Sequence, residues 1–154
     1  MKRIDSHLER VLNTESPYVS KRPVEGRVVC VLDAWSERRG MQLEPHSSRA
    51  VTAGEIHELA MTDDPRARPE SRVDRVAYIG FVEFVRGGVI LVGDRVTLGQ
   101  RELGEVVGFN TTHYPNHMNI LLRNPQWQTG RGLGVALEEP AVFSFPQGPT
   151  PDPG

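Results

Sequence analysis

The sequence predicts a mainly β fold: a small antiparallel β-barrel or compact sandwich with a short N-terminal helix. Three observations lead there. From Val76 onward the chain runs through short segments rich in valine, isoleucine, leucine and phenylalanine, residues that suit a pleated, covered surface. Glycine-bearing steps such as Gly87-Gly88, Gly93-Asp94 and Gly99-Gln100 separate these segments at hairpin spacing. Little helical periodicity lies between them, which is the pattern of a barrel or sandwich and not of alternating strands and helices.

A chain of 154 residues fits one domain and can bury about two thirds of the surface its unfolded form exposes. Residues 1–25 read as an N-terminal helix and linker, 26–145 as the barrel domain, and 146–154 as a Pro/Gly-rich tail unable to form a core. A net charge of -2 and a pI near 6.2 argue against a nucleic-acid partner bound through a broad basic face. The single cysteine, Cys30, forms no intramolecular disulfide and reads as a buried thiol in an apolar strand. Without a signal-peptide pattern or an apolar run of membrane-spanning length, the expectation is a cytoplasmic protein with no membrane partner.

Asp5–Asn13 opens with capping residues and sets Leu8, Val11 and Leu12 at helical spacing after Ile4, so a short amphipathic helix is expected there, with His7 on its solvated face. Arg27–Leu32 is the first strand, and Met41–Glu44 alternates as a second. Pro45–Arg49 concentrates polar groups: Arg49 can grip an oxyanion through its guanidinium, or the segment is only a polar turn. Thr52–Glu55 has capping-box spacing and is followed by Ile56, Leu59 and Ala60, which favours a short helix with His57 and Glu58 outside. The same letters also alternate, so a strand remains open. Residues 61–72 read as a solvated loop.

Val76–Val85 is apolar on both faces, as in a strand covered on both sides. Glu83 shares its face with Ile79, Phe81 and Val85. If that face is interior, a carboxylate is buried there and must find a partner or hold a proton. Gly87-Gly88 turns into Val89–Val92 as a hairpin, Arg95–Leu98 alternates, and Gly104 and Gly108 mark bends inside a strand at 103–109. Residues 123–134 form a long loop in which Trp127 is either a wall against a ligand or a plug at the barrel end. Gly134–Glu138 and Ala141–Phe145 read as a closing hairpin with Pro140 at its turn.

The densest polar stretch is Thr111-Thr112-His113-Tyr114-Pro115-Asn116-His117-Met118-Asn119-Ile120. The chain turns across Pro115 and a strand resumes, with Met118, Ile120 and Leu122 on one face and His117, Asn119 and Leu121 on the other. Periodicity leaves open which face is interior.

Gly93-Asp94-Arg95-Val96-Thr97-Leu98-Gly99-Gln100, continuing through Val106-Val107-Gly108, resembles the later half of the glucitol/sorbitol-specific IIA components of the phosphotransferase system. Those are small β-barrels, so the resemblance implies the same fold over about a third of the chain; it carries no phosphotransfer, because the phosphoacceptor histidine's motif has no counterpart. Thr112-His113, Pro115-Asn116-His117 and Asn119-Ile120 also resemble a group of uncharacterised small bacterial proteins.

The chemistry most suited to these residues is general acid-base catalysis of isomerase, dehydratase or cyclase type on a small polar metabolite, without a cofactor. His117 would move the proton, with Glu83 and His113 as its catalytic partners, because an imidazole titrates close to neutrality. Asn116, Asn119, Arg49, Tyr78, His46 and Trp127 would hold the substrate. Two alternatives stay open. His113 and His117, four apart, could share a metal ion with His57, His46 or Glu83. The barrel could instead be a non-catalytic binding or assembly module, with a homodimer left open.

Overall fold

The computed structural model describes residues 17–146. The expected N-terminal helix, with His7, and tail residues 147–154 lie outside the described residues. The strands are β1 (Val24–Ser36), β2 (Met41–Gln42), β3 (Ser48–Val51), β4 (Ile56–Thr62), β5 (Arg72–Val73), β6 (Val76–Arg86), β7 (Gly88–Leu91), β8 (Arg95–Leu98), β9 (Arg101–Asn110), β10 (Asn119–Arg123) and β11 (Pro140–Ser144), with one short helix, α1 (Gly130–Leu133). Seven strands close a barrel in the order β1-β11-β8-β9-β10-β4-β6. Every seam is antiparallel except β4–β10, which is parallel, so the barrel departs from the all-antiparallel expectation at the seam where the polar stretch enters.

Closure removes the unpaired edges that an open sheet would expose, and it puts alternate side chains inside. The interior is filled by Val28, Leu59, Met61, Ile79, Val82, Phe84, Leu98, Phe109, Ile120, Phe143 and their neighbours. It is a packed core and not a ligand hollow. A second apolar cluster lies on the outside of the same wall, where Ala60, Val76, Val107 and Leu121 meet Met41, Leu43, Ala67 and Val73. The β2–β5 ribbon covers this face through Met41 and Val73. That outer layer is why β6 is apolar on both faces.

Several local expectations change for identifiable reasons. Thr52 and Glu55 do make the contact that capping-box spacing predicts, since the Glu55 carboxylate accepts from the Thr52 amide. Gly54 at φ 97° closes that contact as a turn, however, and β4 follows instead of a helix. After Gly87 the chain does not fold back on β6: β7 crosses to pair with β3, because Gly87 packs so closely that an added Cβ would lie 2.5 Å from the Val51 carbonyl. The expected strand at Gly134–Glu138 does not form: α1 ends just before it and turns follow. Thr129 caps α1 by accepting from the Gly132 amide, and Gly134 ends it at φ 75°.

The parity of β6 also shifts. Leu59 opposes Gly80 and Ala60 opposes Tyr78, so β6 carries one more residue than β4 between those pairs. Such a bulge re-aims the residues beyond it. Ile79, Val82 and Phe84 therefore face the core, and Glu83, two positions beyond Phe81, faces outward. Gly80 is required here, since an added Cβ would meet the Cys30 carbonyl oxygen at 2.2 Å. Cys30 itself is free and partly exposed, not buried.

Candidate active site

Because Met118, Ile120 and Leu122 fill the barrel, His117 and Asn119 lie on the outer wall. They are nevertheless sheltered by the second layer. The loop 111–117 wraps back on itself through Asn116 N–H to His113 C=O (2.8 Å) and Tyr114 N–H to Thr111 C=O (3.1 Å), and includes a cis Tyr114–Pro115 peptide bond. This winding brings the two imidazoles together, with ring centroids 5.1 Å apart. The Phe81 ring, from β6, stands at 82° to the His117 ring with centroids 4.9 Å apart.

The carboxylate that faces His117 comes from β4. Glu58 Oε1 lies 3.6 Å from His117 Nε2, and the two side chains are only 10% and 12% exposed. Asn116 Nδ2 lies 2.7 Å from His117 Nδ1 and donates to it, which leaves the ring hydrogen on Nε2, toward Glu58. Burial pushes the Glu58 carboxyl up to about 7, and the nearby Arg39 guanidinium draws it only partly back. Burial, with the neighbouring His113 and His57 rings, lowers His117 below its ordinary value. Arg39 is held in place by donating its Nε–H to the Tyr78 hydroxyl at 2.6 Å. At neutral pH this makes an uncharged imidazole beside a carboxyl group close to its midpoint, with a fixed cation near by.

The structure thus gathers His117, His113, Asn116 and Tyr78 around Glu58 and Arg39, neither of which was among the residues singled out from the sequence. Glu83 stands elsewhere on the outer face, opposite Ile56 and Arg27, and its carboxylate makes no ion pair among the described residues. Asn119 is fully buried and donates to Asn110 Oδ1 at 3.0 Å, so it braces the loop. Arg49 lies over the Tyr114 ring, 5.1 Å from its centroid. His46 stacks on Phe109 at 5.7 Å. Trp127 packs edge-on against Trp35 at 5.8 Å and beneath the Arg75 guanidinium at 3.9 Å, as a wall between side chains of the protein itself.

His57 points to the other side of β4. Its Nδ1 accepts from the Met118 amide at 3.0 Å, and its Nε2 donates to Glu55 at 3.0 Å. Both ring nitrogens are engaged, so His57 has no lone pair free to join His113 and His117 on a metal ion. Among the described residues no group of three or more His, Cys, Asp or Glu side chains is placed to hold one. A signal for Glu58 existed in the sequence: it is the one acid inside Ile56–Thr62, where the strand reading stayed open, and every residue of that strand but Ile56 is buried. Nothing in the sequence marked Arg39, which reaches the site only because the turn before β2 folds over β6.

No helix among the described residues is long and apolar enough to cross a membrane. No curated protein and no solved structure matches the chain, and the likeness to the glucitol/sorbitol IIA barrels finds no support among known proteins. One family model does match, over residues 18–144, which takes in every strand and the whole His117–Glu58 site. The chain belongs to this family, described as a family of unknown function (DUF6917).

Proposed function

We propose that the protein is a small enzyme that uses general acid-base chemistry, of isomerase, dehydratase or cyclase type, on a small polar metabolite, with Glu58 and His117 as the proton-transfer pair. The observation that carries this reading is the juxtaposition of two sheltered groups: a carboxyl raised to about 7 facing, at 3.6 Å, an imidazole lowered from its usual value. A carboxyl that titrates close to neutrality can give a proton to a bound substrate and take one back, while the uncharged His117 ring, with its hydrogen on Nε2, donates a hydrogen bond into the same place. Keeping Glu58 buried near Arg39 without a hydrogen-bonded partner also costs stability, and such costs concentrate at functional sites. In this reading Arg39 and Tyr78 orient an oxygen of the substrate, Asn116 fixes the His117 tautomer, and His113 guards the exposed side. No cofactor is needed for such a proton shift.

The filled barrel favours a second reading, a non-catalytic binding or assembly module in which the outer wall meets a ligand or a second copy. A metabolite library screened by thermal shift, followed by NMR of each stabilising compound, separates the two. Turnover of a hit by the wild type and not by His117→Ala or Glu58→Gln supports the enzyme. Hits returned chemically unchanged, and bound equally well by both variants, would remove it.

A further inference from the structure

Away from Glu58 and His117, at the Thr62 end of β4, the outer wall opens into a cleft of about 760 Å³. Thr62 is four residues along the strand from Glu58, about 13 Å at the usual rise, so the two places are distinct. Of the three valines along the cleft floor only Val92 is partly exposed, since Val106 is fully buried in the barrel core and Val107 is buried in the second apolar layer, and one wall is the connection between β4 and β5. That wall is fixed: Ala67 is buried in the second core, Ala67 N–H bonds to the Asp64 carbonyl at 3.2 Å, and Ser71 closes on the Arg68 carbonyl through both its amide and its hydroxyl.

Four arginines line the cleft, Arg66, Arg68, Arg72 and Arg123, against the two acids Asp64 and Glu105. Both acids are already answered. Asp64 accepts from the Arg66 amide at 2.9 Å, and Glu105 pairs with Arg123, which also donates to the Ala67 carbonyl at 3.2 Å. Arg72 rests its guanidinium against Gly40. The Arg68 guanidinium has no partner among the described residues, and Arg66, 92% exposed, comes no nearer than 3.9 Å to Asp64. On a chain whose net charge is -2, this is a local excess of cation.

We propose that this cleft is a binding site for a small organic anion bearing carboxylate or phosphate oxygens, with Arg66 and Arg68 gripping the oxyanion. Guanidinium groups suit such oxygens because their donors are planar and paired. A nucleic-acid strand fits less well, because the cleft holds two acids and has no aromatic platform on which bases could stack.

The test is calorimetric titration of the full chain with inorganic phosphate and with citrate, each at constant ionic strength. Saturable binding of either probe at one site per chain is expected. It should weaken roughly tenfold or more in Arg66→Ala/Arg68→Ala and stay unchanged in Arg38→Ala, a surface arginine outside the cleft. Phosphate alone would indicate a phosphorylated ligand, and citrate alone a polycarboxylate. If the alanine pair lowers the melting temperature, Arg66→Gln/Arg68→Gln repeats the comparison with side-chain length retained. No saturable binding at millimolar concentration, or binding indifferent to both pairs, overturns the proposal.

Discussion

His117 directs Nε2 at the carboxyl of Glu58 across 3.6 Å, from the loop that leads into β10, whose parallel neighbour β4 carries Glu58. In a parallel pair the hydrogen bonds are slanted and the entry ends of both strands lie together, so the loop leading into β10 and the start of β4 deliver their polar groups to one place. Asn119 sits opposite Glu58 in that register, which puts His117 just ahead of it at the strand mouth.

Glu58→Gln should flatten the pH dependence of stability. Between about 4.5 and about 7 the folded chain keeps a proton on Glu58 that the unfolded chain has released, so stability falls as pH rises through that window. Above it the buried carboxylate costs of order 1–3 kcal/mol, which the glutamine removes. Urea unfolding from pH 5 to pH 8 reads this directly. Parallel curves for variant and wild type would show that Glu58 titrates normally.

His117 should titrate below 6.5, since burial and the adjacent His113 and His57 rings all disfavour its charge. His113→Ala should move the midpoint upward but leave it below 6.5, because burial is the larger cause. Here the folded chain holds the neutral ring, so His117 contributes stability that is lost as pH falls below the ordinary imidazole value, opposite in sense to Glu58. Imidazole nitrogen NMR follows the ring itself. A midpoint above 6.5 contradicts the geometry.

His117→Ala should cost no more than about 1–2 kcal/mol of folding stability, since the ring makes no buried hydrogen bond to the core. Asn110→Ala should cost about 1–3 kcal/mol, because it strands the buried amide of Asn119 and the Gln42 carbonyl that Asn110 binds at 2.8 Å. Chemical denaturation should therefore find the Asn110 variant no more stable than the His117 variant, and a clearly larger loss in His117→Ala would make His117 the structural residue.

Lys21→Met should destabilise by about 3–5 kcal/mol at pH 7. Lys21 pairs with Asp94 at 2.8 Å, and Asp94 is fully buried. Burial raises the Asp94 carboxyl, with the Leu91 amide and Lys21 opposing it, so losing the lysine leaves a charge with too little compensation. Adding Asp94→Asn should restore part of the loss. Melting curves of the single and double variants check this, and additive losses would show that the pair does not couple.

The strands of residues 76–109 were legible because their valine, isoleucine and phenylalanine content and their glycine turns are local properties, and the chain follows them in β6, β8 and β9. Thr52–Glu55 shows the limit of local reading. Its capping contact forms as the spacing predicts, yet nothing in those four letters says whether a helix or a turn follows. Of the site, His117, His113, Asn116 and Tyr78 could be picked out by their chemistry, whereas Glu58 stayed hidden behind the helix reading of β4.

The sequence by itself determined that the chain is mainly β, that strands run where β6, β8 and β9 lie, and which stretch is densest in polar groups, because each of these follows from propensity and periodicity along a few residues. Tertiary structure decided the rest. The extra residue in β6 turned Glu83 away from the core, parallel pairing of β4 with β10 set Glu58 against His117, and the β2–β5 ribbon sheltered an outer wall that periodicity alone would leave wet. Those outcomes depend on which strand lies beside which, and on what covers them, and no window of local sequence contains that information.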